Sequence, residues 1–330
     1  SDEILINSFT TGYQTGGTIA IMPDQTSVIS WMSEQDGSSD GIYFQRANTS
    51  LGKIGVETRA NTYTTNSQDI SQIAPLSDTG YVIVWESDGQ DGSDYGVYGQ
   101  VFDTTGAKVG TEFRANTYTS SRQWLPRVAG APDGTFVVVW ASWGQDGSSD
   151  GVYAQRYDAT GAKIGSEFRV SSRTSGNQRS PRAAYFADGS FIIAYSSENV
   201  DGSGTAVLAR KYSSDGLQDG GEFTVNTTTA GDQGYPRVAV FDDKSFVVIW
   251  MNNTSSLGYD VFGQVFNADG TRLGSEFPVN TFTSGNQMLP TVSTFSDGTF
   301  IVAWTSEAQD GSGLGVFALR FNHDGSKKYR

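Results

Sequence analysis

The apolar run Phe136-Val137-Val138-Val139-Trp140 lies between an Asp133-Gly134 turn and the polar stretch Gly144-Gln145-Asp146-Gly147-Ser148. A short unbroken apolar run between turn residues reads as a strand buried on both faces. Ahead of it, Pro126-Arg127-Val128-Ala129 begins a shorter strand that Pro132-Asp133-Gly134-Thr135 turns back. Behind it, Gly151-Val152-Tyr153-Ala154-Gln155-Arg156-Tyr157 alternates outward and inward, and Asp158-Ala159-Thr160-Gly161 makes a second turn into Glu167-Phe168-Arg169-Val170. Glycine supplies the positive φ that such hairpins need. No window of ten or more residues carries helical spacing. The pattern predicts four antiparallel strands.

The same unit recurs. Trp31, Trp85, Trp140, Tyr195, Trp250 and Trp304 follow one another at gaps of 54, 55, 55, 55 and 54 residues. A repeat of this size announces a solenoid, propeller or array, and four strands in ~55 residues is the size of a propeller blade. The units run over about 8–61, 62–116, 117–171, 172–226, 227–280 and 281–330. Glu3-Ile4-Leu5-Ile6-Asn7 matches the fourth strand of other units, where Glu57, Glu112, Glu167, Glu222 and Glu276 stand, and the sixth unit stops after Val316–Phe321. The expectation is one all-β body over 1–330: a six-bladed β-propeller whose N-terminal strand 3–7 completes the last blade and leaves no sheet edge open.

Charge and composition narrow the partners. Lys plus Arg number 22 against 36 Asp plus Glu, a net charge of −14, which repels phosphate backbones and anionic membrane surfaces. No apolar run approaches the ~20 residues of a membrane span. The absence of cysteine excludes disulfides and thiolate chemistry. Ser1-Asp2-Glu3 carries no signal-peptide pattern, so the chain reads as a mature product or an excised piece.

In a propeller, the loops after strand two and between blades share one face. The inter-blade loop keeps a Gln in every unit (Gln14, Gln68, Gln123, Gln178, Gln233, Gln287) and a Thr four residues earlier. Both side chains suit backbone groups where the chain crosses between sheets; direct ligand contact is the alternative, for Gln123 in particular. The six Trp/Tyr positions read as packing anchors. The other loop, Gln-Asp-Gly-Ser in units one, two, three and six, becomes Val200-Asp201-Gly202-Ser203 in the fourth and Asn252-Asn253-Thr254-Ser255-Ser256 in the fifth. Loops that vary on a constant scaffold carry binding.

Two chemistries are candidates there. Calcium wants six to eight oxygens, and Asp88, Asp91 and Asp94 fall within seven residues, with Asp146 equivalent to Asp91 in the next unit. A plain Asp-Gly turn is the competing reading. Stacking is the other: Trp124 and Trp143 occur in the third unit alone, Tyr95 lies in the second unit's loop, and Tyr235 aligns with Leu125. Aromatic faces beside amides such as Gln123 and Gln145 make a platform for sugar rings or an apolar side chain; packing between blades is the bland alternative.

The combined signature runs Glu-Phe-x-Val-Asn-Thr-x-Thr, Gln, Asp-Gly-Thr-Phe-Val-Val-Val-Trp, Gly-Gln-Asp-Gly-Ser and Gly-Val-Tyr-Ala-Gln-Arg-Tyr. It resembles the repeats of very large secreted or surface bacterial proteins, calcium-binding or adhesin-like, with similar repeats in some ciliates. The resemblance spans essentially the whole chain and implies an extracellular, adhesive role; it transfers no catalytic residue. The calcium nonapeptide Gly-Gly-x-Gly-x-Asp is absent.

Catalysis finds little support in the sequence. His323 stands alone in the last turn, so histidine chemistry has no host. The sialidase turn Ser-x-Asp-x-Gly-x-Thr-Trp/Phe is met only by the shorter Ser296-Asp297-Gly298-Thr299-Phe300. Asp91, Asp146 and Asp310 recur equivalently, whereas catalysis needs one asymmetric cluster of shifted acidity. The expectation is a non-catalytic binding or adhesion module for carbohydrate or a protein surface. A structural spacer is the first alternative and a glycoside-active enzyme with paired carboxylates the second.

Overall fold

The computed structural model describes residues 3–328 except 256–257. They form six antiparallel sheets in tandem, the composition of a six-bladed β-propeller, with two short 3₁₀ turns (Glu34–Asp36 and Ser77–Thr79) as the helical content of the described residues. The second sheet runs Gln68–Pro75, Tyr81–Asp88, Tyr95–Phe102 and Lys108–Arg114, and the third Gln123–Gly130, Phe136–Trp143, Asp150–Tyr157 and Lys163–Arg169. Five sheets have the four strands expected, each paired in chain order. The chain divides into two compact units, residues 1–170 and 171–330, with three sheets in each.

Within each unit the core lies between successive sheets. Val82, Val84 and Val97 of the second sheet meet Phe136, Val138 and Trp140 of the third, and Ile192 and Ala194 of the fourth meet Val248 and Trp250 of the fifth. In the second sheet, Tyr81–Asp88 and Tyr95–Phe102 are buried on both faces because each face has a neighbour to cover, whereas Leu314 and Val316 of the sixth sheet are exposed. Stacked aromatic pairs such as Phe136–Tyr157 and Phe246–Phe266 close the turn-side end of the sheets.

The tryptophan period has a local cause. In every sheet the first strand carries a bulge, with two residues opposite the one Trp or Tyr of the second strand. The first bulge residue is left-handed: Gly16, Ile70, Leu125, Ser180, Tyr235 and Leu289 have φ between 51° and 68°. In four sheets the second is a proline (Pro126, Pro181, Pro236, Pro290), which has no N–H to leave unpaired. The indole beneath fills the space opened by the distortion; Trp85, Trp140 and Trp250 are completely buried.

The strand expected over residues 3–7 is not formed, and Ile4 and Leu5 are largely exposed. The sixth sheet has three strands among the described residues, Gln287–Thr294, Phe300–Glu307 and Leu314–Phe321. The C-terminal tail itself turns back through Asn322–Ser326 and pairs Lys327 with Phe321, in the register of Lys108 with Phe102.

Candidate functional site

Two positions on the first and second strands face each other across every sheet: the residue after the recurring Gln and the residue after the recurring Trp or Tyr. The pairs are Thr15–Met32, Asp69–Glu86, Trp124–Ala141, Arg179–Ser196, Gly234–Met251 and Met288–Thr305. Only the second sheet sets acid against acid. Directly opposed residues of an antiparallel pair point to the same face, so Asp69 and Glu86 share one side, and both line a groove of about 370 Å³ with Met32, Tyr95, Arg122 and Trp124.

The bulge positions Glu86. A bulge frees one N–H from the ladder, and in three sheets that amide is directed at the residue after the Trp or Tyr of the preceding sheet. Ile70 N–H points to Met32 Sδ at 3.3 Å, Tyr235 N–H donates to Ser196 Oγ at 3.1 Å, and Leu125 N–H donates to Glu86 Oε1. Glu86 is 5% exposed. Burial, aided by the neighbouring Asp69, pushes its pKa up to about 7 against the opposing Leu125 amide and the Arg127 and Arg122 guanidiniums.

Asp69 is less buried and better solvated. Desolvation and the nearby Asp40 raise it from the ordinary carboxylate range, and the Tyr95 hydroxyl, donating to Asp69 Oδ2 at 3.2 Å, counters them. Burial thus raises both carboxyls, Glu86 to about 7, and carboxyls shifted toward neutrality are equipped for acid–base work. Aromatic groups flank them. Trp124 donates its indole N–H to the buried Asp150 at 3.0 Å, and the Arg122 guanidinium stacks over Trp124 at 4.2 Å and Trp143 at 5.3 Å from the ring centroids.

The structure thus brings Tyr95, Trp124 and Trp143 of the expected residues to one region of the first unit; Tyr235 stands in the second unit, half exposed on its bulge. Gln123 is fully buried, its Nε2 donating to the Ser120 and Ser121 carbonyls at 3.1 Å and its Oε1 accepting from Asn116 at 2.9 Å. Gln145 reaches Glu167 Oε1 at 2.5 Å, as Gln90 reaches Glu112. The same glutamates accept the N–H of Thr117 and Thr62, where the chain enters their sheets. The Gln-Asp-Gly-Ser motif is therefore part of a staple between loop and fourth strand.

Among the described residues no three His, Cys, Asp or Glu side chains group as a metal site. Asp91 accepts from Ser93 N–H at 3.3 Å and Asn116 at 3.2 Å, Asp94 from Tyr95 N–H at 3.0 Å, and Asp146 from Ser148 N–H at 3.2 Å; Asp88 continues the second strand. The fifth unit's replacement loop, 252–256, lies partly outside the described residues.

Asp69, Glu86 and Arg122 are residues that sequence reasoning missed. The signal was present in the columns after Gln and after Trp, where the second unit alone reads acid in both, but the value of that match depends on the pairing register.

No protein-family model and no curated protein matches the sequence. Solved structures do resemble the fold. The GH93 α-L-arabinofuranosidase of Fusarium graminearum, in complex with arabinobiose, is 13% identical, with 93% of each chain covered and a TM-score of 0.57. A Penicillium chrysogenum α-L-arabinanase complexed with arabinobiose is 11% identical over 94% of each chain, TM-score 0.56. A protein of unknown function from Dyadobacter fermentans is 8% identical over 92% of this chain and 94% of its own, TM-score 0.57. At such identities the likeness shows the fold.

The expectation of a non-catalytic adhesive module is corrected here. Glycoside hydrolases are among the structures that share the fold. The acids are also not equivalent around the repeats: Asp91, Asp146 and Asp310 recur in loops, but the second sheet carries a pair that no other sheet has.

Proposed function

We propose that the protein is a glycoside hydrolase whose reaction centre is the Asp69–Glu86 pair in the groove of the first unit. The observation that carries this reading is the pair itself, opposed across two strands, both carboxyls raised in pKa by burial, and flanked by Tyr95 and Trp124. Glu86, protonated near neutrality, gives its proton to the glycosidic oxygen as that bond breaks. Asp69, ionised and oriented by Tyr95, attacks the anomeric carbon to form a glycosyl ester. Water, deprotonated by Glu86, then cleaves the ester, returns Asp69 as carboxylate and restores the proton to Glu86. Because the two carboxyls project from directly opposed positions on one face, we assign the close, retaining arrangement rather than the wider gap of inverting enzymes. Trp124 offers a face for the sugar ring.

The resembling enzymes named with arabinobiose support an arabinose-containing polysaccharide as substrate. An extracellular setting accords with a polymeric substrate and with the surface-protein repeats that the sequence resembles. The test is incubation with arabinan, arabino-oligosaccharides, xylan and galactan, following reducing ends and the anomer first released by NMR. Wild-type protein should release sugar with retained configuration, and Glu86→Gln and Asp69→Asn should not. No release from any polymer, or a Glu86→Gln protein as active as wild type, overturns the assignment.

A further inference from the structure

The columns that hold the acid pair in the second sheet read Arg179 and Ser196 in the fourth. Beside them, within the second unit, lies a cavity of about 230 Å³ lined by Asn177, Arg179, Glu198, Asp232, Tyr235 and Tyr259 among others. Ser196 takes the freed bulge amide there, as Glu86 does in the first unit. Without opposed carboxyls at these positions, the cavity lacks the two-acid arrangement of the first-unit groove.

What it has instead is a recognition surface. Tyr235 is the left-handed bulge residue, φ 55°, and its side chain is 52% exposed. A large non-glycine residue is uncommon and strained in this region, yet here the conformation turns an aromatic ring out to the cavity. The polar groups around it are anchored. Asn177 donates from its backbone and side chain to the two oxygens of Glu198 at 2.9 and 2.8 Å, Arg179 Nη2 donates to Asn177 Oδ1 at 2.7 Å, and Thr205 N–H donates to Asp232 Oδ1 at 3.1 Å. Groups held this way lose little freedom when a ligand arrives. One guanidinium and two carboxylates leave no strong preference for an ion. An aromatic face among planar amide, carboxylate and guanidinium groups suits a neutral ring with an apolar side and a rim of hydroxyls.

We propose that this cavity is a second, non-hydrolytic site for a neutral saccharide, with Tyr235 as stacking platform and Arg179, Asp232 and Glu198 as hydroxyl partners. That its ligand belongs to the same polymer rests on the hydrolase reading of the first unit; the cavity's construction does not.

The experiment is calorimetric titration of full-length Glu86→Gln protein with arabinobiose and longer arabino-oligosaccharides, beside a hydrolysis assay of the wild type. Two classes of site are expected. Tyr235→Ala should weaken one class tenfold or more, Arg179→Ala should weaken the same class, and Tyr235→Phe should retain it. Circular dichroism confirms that each variant is folded. Affinities unmoved by both Tyr235→Ala and Arg179→Ala, or a single class of site in all that Trp124→Ala abolishes, overturn the site. Tyr235-dependent binding by a wild-type protein that hydrolyses nothing sustains this inference and removes the hydrolase reading. Hydrolysis without Tyr235-dependent binding does the reverse, and neither activity removes both.

Discussion

Replacing Glu86 by Gln changes the stability of the protein in a pH-dependent way. The side chain is buried, its pKa is pushed up to about 7, and the ordinary value is 4.5. The sign follows from which state holds the proton longer. Below about pH 4.5 folded and unfolded chains both carry it, and the contribution of the buried acid is fully present. Between 4.5 and 7 the unfolded chain has lost the proton and the folded one keeps it, so stability falls as pH rises. Above 7 the loss is complete: a shift of this size is worth about 3 kcal/mol at ~1.4 kcal/mol per unit.

Gln cannot ionise, and its amide oxygen still accepts the Leu125 N–H. The variant should therefore match wild type near pH 4.5 and exceed it by about 3 kcal/mol at pH 8. Urea unfolding of both proteins at the two pH values measures the difference, because every other titrating group cancels in the comparison. Activity should move the opposite way, with hydrolysis reduced ~10²–10⁴-fold, the range of a lost proton donor. A stability gap that stays constant with pH would refute the buried, proton-holding Glu86 on which the mechanism stands.

Other predictions follow from the same geometry. Wild-type activity should decline as pH rises through about 7, where Glu86 loses its proton. Tyr95→Phe removes the hydroxyl that favours ionised Asp69, so the acid limb of the pH–rate profile should move to higher pH. An unmoved limb separates Asp69 from the reaction. Trp124→Ala should raise KM about tenfold, consistent with ~1.4 kcal/mol for an aromatic contact; steady-state kinetics on oligosaccharides decide. Gln123→Ala takes the donor from the Ser120 and Ser121 carbonyls and one acceptor from Asn116, whose amide keeps Tyr118 and Asp91, and should cost about 2–4 kcal/mol. The exposed Trp143→Ala should cost well under 1 kcal/mol of stability. Equal melting temperatures for these last two variants would contradict the scaffold role of the buried glutamine.

Strands, turns and repeat were determined by the chain alone, because alternation, Asp-Gly turns and a tryptophan period are written in neighbouring residues. The scaffold roles of the recurring Gln and Trp were legible for the same reason: six copies of a residue advertise a shared duty. The carboxyl pair was not. Asp69 and Glu86 stand 17 positions apart, and each reads as an ordinary strand residue. They become partners only through a register that the bulge shifts by one residue, and a one-residue slip turns a side chain to the opposite face. Proton affinity, too, is a property of surroundings: Glu86 differs from an exposed glutamate only because folding buries it beneath the Leu125 amide and beside Asp69. Trp143 and Tyr235 were equally visible as loop aromatics, but which pocket each could serve depended on the sheets that pack around it. Periodicity determines the elements; charge and proximity across strands exist only once the strands have paired.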